Sequence, residues 1–140
     1  MEKIQSIARY VQGIQYISIQ TGIGRGGGYR PHTAGDIFAK SYGDCKDKVT
    51  VMRAMLKAVG ISSYPIGIYS GDASYVNEMW PSPQQFNPAI IAIKISDSTA
   101  SPISIQHPSI GRLMIFDPGP ESRNAARLDS ILAAMSRFKL

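Results

Sequence analysis

Between Asp44 and Gly60 the chain carries one uninterrupted helical signal, and its only cysteine stands at the head of it. Val49, Met52, Met55, Leu56 and Val59 recur at the spacing of a single helix face, and Gly60 follows as a stop signal. Asp44 is the N-cap candidate. Cys45 therefore sits on the first turn, one turn before Val49 and Met52, facing inward at the helix mouth. A helix N-terminus exposes free backbone N–H groups and the positive end of a dipole, and both stabilise a thiolate. Lys46 and Lys48 push the same way. A free cysteine is also an ordinary small core residue, and the inward phase suits that role equally.

Around this helix the periodicity changes once. Upstream, Ile4, Ile7, Ala8 and Val11 share a face, so residues 2–12 read as an amphipathic helix ended by Gly13. Ile14, Tyr16 and Ile17 to Ile19 suggest a short strand. Thr33 to Ser41 reads as a short helix, with Thr33 as cap and Asp36 three residues on. Downstream of Gly60 the pattern is β. Ser62 to Ser70 is a strand whose Pro65 argues for an edge or an irregular start, Gly71 to Pro83 a loop, and Ala89 to Ile95 the strongest strand of all. Ser96 to Pro108 reads as a polar turn region with some β character at Ile103 and Ile105. Arg112 to Phe116 is a further strand, ended by Asp117-Pro118-Gly119-Pro120. The tail from Leu128 to Phe138 is helical in pattern. Helices first and strands later predict an α+β domain with a mainly antiparallel sheet, spanning residues 1–140 as a single unit.

Composition narrows the chemistry. The chain has 140 residues, enough to bury a core without staples. One cysteine allows no internal disulfide, so cysteine usage assigns no redox compartment. Two histidines and no second cysteine argue against a zinc site; no metal or cofactor is expected. The net charge of +5 comes from Lys and Arg residues spread along the chain without interleaved aromatics, which argues against a nucleic-acid partner. No apolar run approaches the roughly 20 residues of a membrane span. The first residues lack the apolar stretch of a signal peptide. A domain within a longer, exported or cytoplasmic protein fits the same pattern.

Three further features bear on chemistry. Gly22, Gly24 and Gly27 formally spell G-x-G-x-x-G, but Tyr29-Arg30-Pro31-His32 follows where a Rossmann site needs a helix to open, so the segment reads as a flexible loop. A cysteine hydrolase or acyltransferase needs an imidazole base and an orienting carboxylate. His32 precedes a short helix and reads as a local structural residue. His107 lies in the polar region before the last strand. It becomes a substitute base if that region folds over the helix mouth, and a surface residue if it runs away as a hairpin.

The block Tyr42-Gly43-Asp44-Cys45-Lys46-Asp47-Lys48, with Met55-Leu56 and Val59-Gly60-Ile61 after it, resembles the transglutaminase-core domain in its bacterial branch. Gly28 to His32, Asp36 to Ala39, Pro81-Ser82-Pro83, Phe86-Asn87 and Phe116-Asp117-Pro118 resemble the other blocks of that branch, in order. The resemblance runs from about Ile4 to Pro118. It implies a papain-like α+β fold in which the cysteine-bearing helix packs on an antiparallel sheet. The implied chemistry is acyl transfer from a Gln amide or peptide through a thioester, with no metal. Cys45 matches the nucleophile and Asp117 the orienting carboxylate. The histidine should follow Phe86-Asn87, and Pro88 stands there instead. Proline has no titratable group, and loss of a triad member costs several orders of magnitude in rate.

The resemblance therefore implies a domain with a degenerate triad, weakly active or inactive in acyl transfer, that serves in peptide or protein binding. Its alternatives are an active thiol hydrolase or acyltransferase using Cys45 with a non-standard base such as His107, and a small interaction domain whose cysteine is core.

Overall fold

The computed structural model describes residues 1–17, 30–69, 79, 86, 88–99, 101 and 103–119. In chain order the elements are α1 (Glu2–Gly13), β1 (Gln15–Tyr16), α2 (Ala34–Lys40), β2 (Tyr42–Gly43), α3 (Cys45–Ala58), β3 (Ser63–Gly67), β4 (Ala89–Lys94), β5 (Ser104–His107) and β6 (Gly111–Phe116). The fold is α+β. Its main sheet is antiparallel, with four strands in the order β3-β4-β6-β5.

Each element follows from its local chemistry. In α1, Ile4, Ile7 and Val11 are the buried residues, the face that the spacing predicts. Thr33 caps α2 by accepting the Asp36 N–H. Ser41 closes α2 in the left-handed conformation at φ 58, with its N–H bonded to the Ile37 carbonyl. Gly60, at φ 78, follows the end of α3. Pro65 lies in β3, which is an edge strand of the sheet, as a residue without an N–H requires.

β4 is one of the two inner strands, and its continuous apolar run Ala89 to Ile93 is explained by burial on both sides. Ile91, Ile93 and Ile95 join α1, α2 and α3 residues Val11, Ile37, Val49, Met52 and Leu56 in one core. Ile90 and Ala92 join Leu113, Ile115 and Ile68 in a second core on the other side of the sheet.

Two strands lay outside the sequence expectation or were only hinted at. β5 forms a full edge strand where a polar turn with some β character was expected. Arg112 from β6 holds it, with Nε and Nη2 donating to Ser104 and Nη1 to the Asp97 carbonyl. β2 pairs in parallel with β1, matching Gln15 to Tyr42 and Tyr16 to Gly43. This short ladder stitches the end of α1 to the segment immediately before α3. The expected glycine loop, the 71–83 loop apart from Met79, and the C-terminal helix lie outside the described residues.

Candidate functional site

The head of α3 is held by a reciprocal capping box. The Asp44 carboxylate accepts the Asp47 N–H at 3.2 Å, and the Asp47 carboxylate accepts the Asp44 N–H at 3.3 Å. Lys46 donates to the same Asp44 carboxylate. Cys45 is the first residue of the helix and is half-buried.

Asp47 does more than cap. It is 0% exposed, and its carboxylate also accepts the His32 backbone N–H at 2.8 Å and lies 3.1–3.2 Å from His32 Nδ1. The Asp47 carboxylate thus engages both the backbone N–H and the imidazole of His32. One buried carboxylate thereby clamps the segment before α2 onto the head of α3. The backbone at Gly43 lies so close that a Cβ there would sit 2.7 Å from Asp47 Cβ.

Asp117 ends β6 and is buried, with Oδ1 accepting the Gly119 N–H at 2.8 Å. β4 and β6 are antiparallel neighbours, and Ile91 pairs with Phe116. One step further along that register brings Asp117 level with Ile90, two residues from Pro88. The Pro88 carbonyl accepts the Ile68 N–H at 3.0 Å, which continues the β3–β4 ladder past Gly67 and Ala89. Pro88 and Asp117 therefore lie at the same end of the sheet.

Lys48 ties α3 to that end. Its side chain is 2% exposed and its Nζ donates to the Gln12 carbonyl at 3.3 Å, among the last carbonyls of α1. Burial holds its amine below the ordinary lysine value of 10.5, and the nearby Asp117 carboxylate partly opposes that shift. The field of Asp117 at Lys48 marks the first turns of α3 as neighbours of the β6 terminus.

Of the residues singled out from the sequence, Pro88 and Asp117 lie at one end of the sheet, and Cys45 heads α3 three residues before Lys48, which the Asp117 field reaches. His107 lies elsewhere. It closes the β5–β6 hairpin opposite Gly111, and its Nδ1 accepts the N–H groups of Ser109 and Ile110 at 3.1 and 3.2 Å. Six residues of β6 separate that tip from Asp117, about 20 Å at strand rise. Neither imidazole is hydrogen-bonded to Cys45: His32 is engaged by Asp47, and His107 by its own turn. Among the described residues no cluster of His, Cys, Asp and Glu is fit to hold a metal, and no helix is long and apolar enough to cross a membrane.

Sequence reasoning missed the His32–Asp47 clamp and the burial of Lys48. The clamp leaves no local pattern, because it joins residues 15 apart. Lys48 had a signal: it lies three residues after Cys45 and four before Met52, on the inward phase of the helix.

No family model, no curated protein and no solved structure matches the chain.

Proposed function

We propose that the chain is a transglutaminase-like domain of papain-like architecture whose Cys-His-Asp triad is degenerate at Pro88. Such a domain is weakly active or inactive in acyl transfer and serves to bind a peptide or protein segment. One observation carries the reading. Pro88, at the start of β4, and Asp117, at the end of β6, are near neighbours in register, at the end of the sheet that the head of the Cys45 helix approaches. An imidazole at position 88 would stand beside the carboxylate meant to orient it. Proline offers neither a base nor an N–H to that carboxylate. The half-burial of Cys45 fits a residue at the floor of a groove better than a sealed core residue.

A second reading is an active thiol hydrolase or acyltransferase with a base other than histidine. His107, at the far hairpin tip, does not favour it. The burial of Lys48 one turn from the thiol does.

The test is acyl transfer from a Gln-containing peptide to a fluorescent primary amine, run beside fluorescence-anisotropy titration of the same labelled peptides. Binding without turnover is the expected result for the native chain. Turnover of the native chain at ordinary enzyme rates, of order 1 per second or more, would sink the degenerate reading.

A further inference from the structure

The outer face of α3 carries a local conflict. Arg53 and Lys57 are exposed there, while Val51, Met52 and Leu56 of the same helix are buried. Residues four apart are neighbours on a helix surface, and two like charges so placed repel and weaken the helix.

The fold relieves neither charge. Among the described residues the ion pairs join Lys46 to Asp44 and His32 to Asp47, and Arg53 and Lys57 take no part in them. From Lys48 to Gly71 the chain has no acidic residue. Lys57 has a separate reason for its place, since a cation in the last turn suits the helix dipole. Arg53 has no such reason. It sits in mid-helix, and a glutamate there would pair with Lys57 in the favourable orientation. No bond among the described residues selects arginine over glutamate at that position. A residue that breaks a local rule without a gain in the fold points to a gain outside it.

We propose that the outer face of α3 docks an acidic segment of a partner protein, with Arg53 and Lys57 pairing carboxylates at alternate positions of an extended chain. The spacing fits that chemistry. Four residues of helix advance about 6 Å. Two residues of an extended chain advance about 6.6 Å, and side chains two apart point the same way. Lys46 stays out of the contact, because Asp44 already meets its charge. A second copy of the chain is the wrong occupant: it would bring a net charge of +5 and the same basic face. Arg53 lies eight residues beyond Cys45, about 12 Å along the helix axis, so the surface stands whether or not the thiol has a role.

Fluorescence anisotropy on the native chain tests this with a short labelled peptide of alternating Glu and Thr, beside its Gln-for-Glu counterpart. The Glu peptide should bind at least about tenfold more tightly at low salt, and the difference should shrink as salt screens the contact. Arg53→Glu should weaken binding of the Glu peptide by about tenfold or more. The same change should raise Tm by roughly 1–3 °C, because it turns a repelling pair into an attracting one. A purely structural role for Arg53 would lower Tm instead. A Lys-for-Glu peptide should bind Arg53→Glu better than it binds the native chain.

Equal affinity of the native chain for the Glu and Gln peptides overturns the proposal, as does native affinity in Arg53→Glu. A single-stranded oligonucleotide of equal charge that binds more tightly than the Glu peptide, and loses its binding in Arg53→Glu, would assign the face to nucleic acid and overturn it too.

Discussion

Asp47 gives the sharpest quantitative prediction, because one fully buried carboxylate satisfies three donors on two segments. Replacing it with alanine removes the acceptor for the Asp44 N–H, the His32 N–H and the His32 ring. The ring can turn to water, since the His32 side chain is 34% exposed. The two backbone N–H groups are left at the helix head, each at a cost of about 1–3 kcal/mol when buried and unpaired. The sum is roughly 3 kcal/mol, a large part of the 5–15 kcal/mol that holds a typical domain. At about 2 cal/mol/K per residue, 140 residues give an unfolding entropy near 0.3 kcal/mol per degree, so Tm should fall by about 10 °C. Urea denaturation followed by far-UV circular dichroism reads the change as a lower midpoint at constant m-value. Asp47→Asn keeps one acceptor oxygen and should lose roughly 1 kcal/mol. A loss under about 0.5 kcal/mol for Asp47→Ala, the range of an ordinary surface change, would refute the clamp.

Other consequences are open to direct measurement. Pro88→His should raise the alkylation rate of Cys45 at pH 7 by at least about tenfold, in line with gain of a general base. The Pro88 carbonyl that bonds Ile68 is unaffected by the change, so an unaltered rate in a folded variant would count against the histidine slot. Gly43→Ala should destabilise by roughly 1–3 kcal/mol, because its Cβ would sit 2.7 Å from Asp47 Cβ and force the capping box to shift; a neutral result would show that the helix head yields freely. Burial lowers the Lys48 amine's proton affinity in the fold, so between that lowered value and 10.5 the unfolded chain binds more protons and stability rises with pH. Denaturant melts of the native chain minus those of Lys48→Met should show that rise approaching pH 10.5, and a flat difference would contradict it.

Periodic features were legible from the residues and non-periodic ones were not. The inward face of α3 through Val49, Met52 and Leu56, its Asp44 cap and its end at Gly60 follow from spacing and cap chemistry alone, but Val59, expected on that face, is exposed and Val51, not expected there, is buried. Pro65 announced an edge strand by lacking a donor, and β3 is one. β5 was underread because Ser104, Gln106 and His107 dilute its apolar content; a partner strand and the Arg112 bonds make it a strand, and neither is local. The two-residue ladder of β1 and β2 is too short to leave any period. At the site, helix phase predicts Cys45 inward and the residue is half-buried, and Asp117 follows the end of β6 as the chain pattern predicts. His32 escaped because its partner is set by tertiary contact. Lys48 escaped because the sequence marks it only as a positive charge near the thiol, although its helix phase points inward.

The bond from Lys48 to the Gln12 carbonyl has a consequence for dissecting the chain. No candidate site residue lies in α1, so α1 looks expendable in a trimmed version of the domain. Removing it would strip the buried Lys48 amine of its acceptor, the Gln12 carbonyl. The smallest fragment able to carry the site therefore begins before Ile4. In hydrogen exchange, the amides of α1 and of the first turns of α3 should open together as one cooperative unit rather than in sequence.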